Sequence, residues 1–308
     1  MKKISIVIPA YNEDGNLHVI REKIDEVFVD LKNDYQYEII FVNDGSRDNT
    51  QKTIEELAIT FPEVKFIEFS RNFGHQLAVK AGIDLAEGNA VISMDADLQH
   101  PPRFIPEFIK RWEEGYDLVY TIRTYPKEIS AFKKKTSDYF YKIMSHLSDV
   151  ELEKGSSDFR LMDRKVADTI KEMNESDVFL RGMVKWMGFS QTAIHFDADP
   201  RFSGESKYDF KKMMKFAFTG ITSFSVKPLY VAAYMGFFFS SLSLLYIPYV
   251  IFAFINKTEI SGWASLISTI VFFGGIQLIL IGILGIYMGK IFKQIKGRPN
   301  YIIKSKNF

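Results

Sequence analysis

Two long stretches without a charged side chain constrain the fold of this chain most. They span residues 229–255 and 260–289, and a short polar segment, 256–259, separates them. A helix needs about 20 apolar residues to cross the hydrocarbon core of a bilayer. A pair of buried helices in a soluble domain is the alternative, but such helices rarely stay apolar on every face over this length. The sequence therefore predicts two transmembrane helices, at about 229–255 and 263–289.

The charges that flank these stretches predict their orientation. Lysines are frequent in residues 207–227, and residues 289–308 contain several Lys and Arg but no acid. By the positive-inside rule, both ends of the hairpin lie in the cytoplasm. The apolar run at residues 4–8 is too short for a signal peptide and is typical of a strand. We therefore expect a multi-pass protein of the plasma membrane whose N-terminal domain is cytoplasmic.

Four segments follow from this division of the chain. Residues 1–207 are predicted to form a soluble N-terminal domain, and 208–228 a juxtamembrane amphipathic helix. Residues 229–292 form the predicted hairpin, and 293–308 a basic cytoplasmic tail. The glycines within the hairpin would permit close packing of helices and hence a homo-oligomer, but they do not specify one.

The soluble part alternates short apolar runs with amphipathic stretches. The predicted strands are 4–8, 37–42, 64–69, 90–94 and 118–121, and the predicted helices are 16–31, 49–60, 76–85 and 104–113. Strands that are apolar throughout favour a mostly parallel sheet covered on both faces, hence an α/β fold. The chain has no cysteine, which excludes disulfides and a cysteine nucleophile, and its net charge of +1 gives no reason to expect nucleic acid binding.

Polar residues follow the predicted strands at the edge where α/β sheets bind ligands. Asp95 and Asp97 follow the strand at 90–94, and carboxylates at this spacing suit Mg²⁺ or Mn²⁺. A solvated acidic turn is the alternative. Asp44 follows the strand at 37–42 and could accept hydrogen bonds from a nucleotide, or it could form an Asx turn with Gly45.

Two further clusters are ambiguous by themselves. Arg201, Ser206 and Lys207 lie just before the first apolar stretch, where they could bind phosphate or simply supply juxtamembrane positive charge. Asp158 follows a Gly-Ser sequence and, taken alone, is more typical of a helix cap than of a catalytic group.

Together these motifs resemble those of family 2 glycosyltransferases of the polyprenyl-phosphate type, which include dolichol-phosphate mannose synthases and bactoprenol glucosyltransferases. The matching segments are 6–13, 42–46, 71–74, 95–102, 158–161 and 201–208. The resemblance implies that residues 1–207 form a cytoplasmic GT-A glycosyltransferase domain, with a Rossmann-like and mostly parallel sheet. It implies catalytic roles for Asp97 and Asp158, and a nucleotide-sugar site formed by Pro9, Tyr11, Glu13, Asp44 and Asp95. It further assigns Asp95, Asp97 and Gln99 to a divalent metal, and Arg201, Ser206 and Lys207 to the acceptor or diphosphate.

The resemblance also implies a reaction. An inverting displacement would move a monosaccharide, glucose or N-acetylglucosamine, from a UDP-sugar to undecaprenyl phosphate for later use in cell-surface glycans. GDP-mannose as donor, another glycolipid or cell-wall acceptor, and a non-catalytic nucleotide-sugar binding module remain alternatives. Because a phosphate monoester already carries about −1.5 to −2 charge near pH 7, it needs little proton removal. We therefore hypothesise that Asp158 orients the sugar or a water molecule, with base catalysis secondary.

Overall fold

Eight strands and eight α-helices form the part of the chain that the structure describes. The structure is a computed structural model that describes residues 1–124, 155–197, 222–223, 225–245, 248, 251–252, 255–256 and 262–308. The strands are β1 Lys2–Ala10, β2 Tyr35–Asn43, β3 Val64–Phe69, β4 Ala90–Ser93, β5 Leu118–Thr124, β6 Ser156–Asp163, β7 Gln191–Asp197 and β8 Ile303–Lys306. The helices are α1 Leu17–Leu31, α2 Thr50–Thr60, α3 His75–Leu85, α4 Ile105–Glu113, α5 Arg164–Glu172, α6 Leu180–Trp186, α7 Lys227–Leu244 and α8 Trp263–Ile295.

The strands form one sheet in the order β7-β5-β6-β4-β1-β2-β3-β8. The pairs β1–β2, β1–β4, β2–β3 and β5–β7 are parallel, whereas β6 runs antiparallel to both β4 and β5, and β8 runs antiparallel to β3. Helices cover both faces, so central strands such as β1 are buried on both sides. The predicted mostly parallel sheet is therefore confirmed, and each predicted strand and helix of the soluble part is present within a few residues of its expected bounds.

Asp158 lies inside β6, so the interpretation of this residue as a helix cap is wrong. The cap of the following helix, α5, is Asp163, whose carboxylate accepts a hydrogen bond from the backbone N–H of Lys165 at 3.0 Å. Because β6 is antiparallel to β4, the start of β6 lies beside the carboxyl end of β4. The Ser93 hydroxyl, in the last residue of β4, donates to the Asp158 carbonyl at 2.6 Å.

The C-terminal residues add the edge strand β8 to the sheet, a contribution that the predicted basic tail did not include. Ser305 donates to the Glu68 carboxylate at 2.7 Å, and the ring of Tyr301 stacks on Phe69 with centroids 5.2 Å apart. The backbone N–H of Phe66 donates to the Asn307 side chain at 2.8 Å. The strand was not evident from the sequence because it is short and half exposed, and its hydrophobic pattern is weak. These contacts attach the segment that follows α8 to the sheet.

One helix in the described residues is long and apolar enough to cross a membrane. It is the Leu266–Ile295 part of α8, none of which is buried within the protein. The helix α7 is also apolar but has 18 residues and begins at Lys227. The predicted two-helix hairpin is thus not confirmed, and most of the predicted juxtamembrane helix, 208–228, lies outside the described residues.

A buried ionic cluster surrounds Glu38 near the amino-terminal ends of the parallel strands β1, β2 and β3. Its carboxylate contacts the ammonium groups of Lys3 at 2.6 Å and Lys65 at 2.7 Å, and it accepts from the Ser5 hydroxyl at 2.6 Å. Burial alone would raise the pKa of Glu38, but these donors outweigh it and lower the pKa to about 2. Glu38 therefore stabilises the fold above its unfolded pKa, near 4.5, and this stabilisation disappears as the pH falls towards 2.

We expect Glu38→Gln to lower the free energy of unfolding by about 3 kcal/mol at pH 7, because it leaves two lysines beside a neutral group. Denaturant unfolding at pH 7 and at pH 3 measures this, and the difference from wild type should shrink at the lower pH. The control is Glu22→Gln, because Glu22 is exposed on α1. An equal effect of the two substitutions at pH 7 would exclude this role for Glu38.

Candidate active site

A cleft of about 300 Å³ opens at the carboxyl ends of β1, β2 and β4. Its walls come from the segments that follow β1, β2, β3 and β4, because parallel strands present these connections at the same edge of the sheet. The residues that line it are Pro9, Ala10, Tyr11, Glu13, Asp44, Asn72, Gly74, His75, Asp95, Ala96 and Asp97.

Six residues that the sequence analysis selected line this cleft together. They are Pro9, Tyr11, Glu13, Asp44, Asp95 and Asp97. Gln99 is not part of the lining, and its side-chain oxygen lies 3.5 Å from the guanidinium of Arg123. Arg201, Ser206 and Lys207 lie outside the described residues, so their predicted phosphate contacts stay predictions.

The loops after β1 and β2 are joined by hydrogen bonds. Asn12, which has a left-handed φ of 58°, donates its backbone N–H to the Ser46 hydroxyl at 3.0 Å. Its side-chain oxygen accepts from the backbone N–H of Arg47 at 2.9 Å. The backbone N–H of Glu13 donates to Thr50 at 2.9 Å. This bonding holds Tyr11, which is 42% exposed, at the rim of the cleft.

Asp44 holds the segment after β3 against the end of β2. Its carboxylate accepts from the backbone N–H groups of Phe73 at 2.6 Å and Gly74 at 2.9 Å. Burial raises the pKa of Asp44, although these two backbone hydrogen bonds oppose the increase. The Asx-type contact in this loop belongs to Asn43, whose side chain accepts from Ser46 at 2.9 Å. Asp44 therefore shapes the cleft as well as lining it.

Gly45 allows this close approach. Its φ is +67°, and a Cβ atom there would lie 2.5 Å from backbone atoms of Arg71 and Asn72. We expect Gly45→Ala to destabilise the fold by about 3 kcal/mol and to weaken binding of the nucleotide that the resemblance implies, because the two loops must separate. Thermal unfolding and UDP titration of the variant measure both effects.

Gly15 provides the matched control for Gly45. It lies in the neighbouring loop, a Cβ atom added to it would meet no heavy atom within 4 Å, and its φ is not left-handed. Gly15→Ala should therefore leave both measurements unchanged. If Gly45→Ala behaves like this control, the contact between the two loops is not a determinant of the cleft.

The segment that carries Asp95 and Asp97 is held in a tight turn. The backbone N–H of Asp95 donates to Nδ1 of His100 at 2.9 Å, and that of Gln99 donates to the Asp97 carboxylate at 3.1 Å. Leu98 has a left-handed φ of 62°. Non-glycine residues with such angles cost energy and occur frequently at functional sites. Both carboxylates thus reach the cleft from a constrained backbone.

His75 and His100 are site residues whose roles the sequence did not reveal. His75 opens α3, and its Nε2 lies 3.0 Å from the Asp95 carboxylate. His100 is buried against Phe159, with ring centroids 5.2 Å apart, and its Nε2 lies 3.2 Å from the Ser157 hydroxyl. Since Nδ1 of His100 accepts the Asp95 N–H, Nε2 carries the hydrogen. Each histidine directly follows a polar motif at the end of a strand, and this position is the only sequence feature that could have indicated a place in the site.

The residues at the cleft fit a metal that a bound ligand helps to coordinate. Among the described residues, no group of three or more His, Asp or Glu side chains is arranged to hold an ion. Mg²⁺, however, is commonly bound by one or two carboxylates together with oxygens of substrate phosphates. Asp95 and Asp97 provide two such carboxylates on one cleft wall.

Asp158 forms the centre of a buried cluster beside this wall. Arg181 grips its carboxylate with two parallel bonds of 2.9 Å, and Arg160 donates to it at 3.0 Å. Gln76 donates to the same carboxylate at 3.3 Å. Burial would raise the pKa of Asp158, but the charges of Arg181 and Arg160 hold it well below its usual range. This arrangement suits an anchoring role better than proton abstraction.

These features define an open α/β enzyme with an acidic ligand cleft at the carboxyl ends of its parallel strands. Residues 5–171 match the model of the family described as Glycosyl transferase family 2, and the chain belongs to this family. The protein is therefore a glycosyltransferase, and the predicted GT-A fold is confirmed.

Relatives match along nearly the entire chain. The chain is 45% identical to "Uncharacterized glycosyltransferase YkcC" of Bacillus subtilis, with 97% of this chain and 93% of that protein covered. It is 40% identical to "SfII prophage-derived bactoprenol glucosyl transferase" of Shigella flexneri, with 99% and 98% covered. The chain is also similar to a solved structure, the crystal structure of glucosyl-3-phosphoglycerate synthase from Mycobacterium tuberculosis in complex with Mn²⁺, UDP-glucose and phosphoglyceric acid. The two sequences are 16% identical, the match covers 72% of this chain and 78% of the synthase, and the TM-score is 0.46.

Proposed function

We propose that the protein transfers a monosaccharide from a UDP-sugar to polyprenyl phosphate at the cytoplasmic face of the plasma membrane. The observation that carries this proposal is that the domain with the acidic cleft is fastened to a helix that can cross a membrane. A lipid-linked acceptor phosphate lies at the bilayer surface, so its enzyme must be held there. The 40% identity to a bactoprenol glucosyl transferase over almost the full length supports the same acceptor.

The proposed donor is UDP-glucose or UDP-N-acetylglucosamine. Tyr11 and Asp44 line the cleft from the first two loops, where an aromatic ring and a carboxylate can contact a nucleobase and a ribose. Glucosyl transfer by the bactoprenol relative favours glucose for this chain. GDP-mannose is the alternative donor.

The proposed chemistry is a single displacement that inverts the anomeric carbon. The acceptor phosphate oxygen forms the new bond, and the bond from the anomeric carbon to the nucleoside diphosphate breaks. Asp95 and Asp97 would hold Mg²⁺ or Mn²⁺, which supplies positive charge beside the leaving diphosphate. Because the acceptor is already an anion, this displacement needs no strong general base.

Asp158 acts in this proposal as an anchor. Its carboxylate accepts hydrogen bonds from Arg160, Arg181 and Gln76, so it fixes these three side chains beside the cleft wall. A carboxylate so strongly stabilised as an anion is a weak proton acceptor. The role of Asp158 is thus to orient groups around the transferred sugar.

Transfer of labelled sugar tests the proposal. The purified full-length protein is given UDP-glucose, UDP-N-acetylglucosamine or GDP-mannose with undecaprenyl phosphate, in Mg²⁺, Mn²⁺ or EDTA. We expect label in the lipid phase from a UDP-sugar, and its loss in EDTA. Transfer to another glycolipid but not to undecaprenyl phosphate would replace the proposed acceptor. Nucleotide binding without transfer to any acceptor would indicate a binding module instead.

A further inference from the structure

The C-terminal end of α8 is hydrogen bonded to the loop between α5 and α6. Gln294 accepts from the backbone N–H of Ser176 at 2.8 Å and donates to the carbonyl of Asn174 at 2.7 Å. Asn300, just beyond the helix, donates to the carbonyl of Glu175 at 2.9 Å. Three consecutive residues of the loop are therefore held through their backbone groups.

Two lysines of α8 support the same loop. The ammonium groups of Lys290 and Lys293 each lie 3.6 Å from the carboxylate of Asp177. Lys290 also donates to the Ser223 hydroxyl at 2.8 Å. Both ion pairs are long, at 3.6 Å, and only Lys293 is exposed, so we expect the shorter hydrogen bonds from Gln294 and Asn300 to supply most of the directional constraint.

The loop continues directly into α6, which contacts the active site. The backbone N–H of Leu180, the first residue of α6, donates to the side-chain oxygen of Gln76 at 3.1 Å. The side-chain nitrogen of Gln76 donates to Asp158, and Arg181, the next residue along α6, grips the same carboxylate. A continuous set of contacts therefore runs from the end of α8 to Asp158.

We propose that the C-terminal end of α8 is a positioning element of the active site, in which Gln294 and Asn300 hold the α5–α6 loop so that Arg181 stays locked on Asp158. Within the part of the chain that the structure describes, these two side chains touch no residue that lines the cleft, so they act through α6. The position of Arg181 against Asp158 would thus depend on α8, the helix that we assign to the membrane. Only the kinetic part of this inference, which uses a polyprenyl acceptor, rests on the proposed function.

The test is the double variant Gln294→Ala/Asn300→Ala in the full-length protein. Its matched control is Lys296→Ala/Arg298→Ala, because these side chains lie in the same segment and make no described contact with residues 174–176. Hydrogen exchange of the Ser176 and Leu180 amides is measured without substrate. In parallel, kcat and KM are measured with UDP-glucose and undecaprenyl phosphate.

We expect the test variant to exchange the Ser176 and Leu180 amides at least about tenfold faster than wild type. Its kcat should fall about tenfold, with KM for UDP-glucose unchanged, because only the Asp158 side of the site is displaced. The control should match wild type in both measurements. Unchanged exchange at Leu180, or faster exchange with an unaltered kcat, would overturn the proposal.

These measurements separate this inference from the proposed acceptor. If wild type transfers no sugar to undecaprenyl phosphate, the acceptor assignment fails, whereas the exchange comparison still decides whether α8 holds α6. In that case kcat and KM are measured with the acceptor that the protein does use.

Discussion

Replacing Asp97 by asparagine is expected to lower kcat for sugar transfer by about 10³-fold. The substitution keeps the shape of the side chain but removes one of the two carboxylate charges of Asp95 and Asp97, which in the proposed mechanism hold a metal ion beside the leaving diphosphate. Asp97 reaches the cleft from a constrained turn, so a small rearrangement of the neighbouring Asp95 cannot replace it. Labelled-sugar transfer at saturating Mg²⁺ and Mn²⁺ measures the loss.

The control for Asp97 is Asp30→Asn, because Asp30 is exposed near the end of α1 and does not line the cleft. It should keep wild-type kcat. Thermal unfolding of both variants should match wild type, which separates lost chemistry from lost folding. Undiminished turnover of Asp97→Asn, with the same metal requirement, would remove Asp97 from the site.

The second large effect is expected for Asp158→Asn. Two guanidinium groups lose their shared counter-charge, and Arg160 is almost fully buried. We expect the free energy of unfolding to fall by about 3 kcal/mol and kcat by about 100-fold, because the group that orients Arg181 is gone. Denaturant unfolding and transfer assays in parallel measure the two losses.

The pH dependence of kcat distinguishes an orienting role of Asp158 from base catalysis. The pKa of Asp158 lies well below its usual range, so the wild-type carboxylate stays ionised at every pH above 5 and should produce no acidic limb in the profile. The Asp158→Asn defect should likewise persist as the pH rises. Restoration of turnover by raising the pH would show that Asp158 removes a proton.

Arg181→Lys provides a milder version of the same test if Asp158→Asn does not fold. It keeps the positive charge but cannot make the two parallel bonds that the guanidinium makes to Asp158. We expect an intermediate loss of kcat and little change in stability. If the variant had the kcat of the wild type, the two parallel hydrogen bonds from Arg181 to Asp158 would not be needed for turnover.

The first four strands and their helices could be predicted from local patterns. Runs such as that in β1 are apolar on both faces, and only a strand buried on both sides of a sheet satisfies such a pattern. Because parallel strands bring their carboxyl ends to one edge, the polar residues after β1, β2 and β4 were expected to meet. Six of the predicted site residues do line one cleft.

The surroundings of Asp158 could not be predicted in this way. Its local sequence is typical of a helix cap, and its place in the site follows from the antiparallel insertion of β6 between β4 and β5. Arg181 is distant in sequence and reaches Asp158 only because α6 packs there. Contacts between distant segments leave no local periodicity, so no pattern along the chain signals them.

The sequence by itself determined the class of fold, the edge of the sheet that carries the site, and an apolar C-terminal region long enough to enter a membrane. These properties depend on the spacing of apolar residues and on the residues that directly follow each strand, both of which are local. The tertiary structure decided that Arg160 and Arg181 hold Asp158 as an anion, that β8 joins the sheet and that the end of α8 holds the α5–α6 loop. These depend on long-range pairing, which only the folded chain provides.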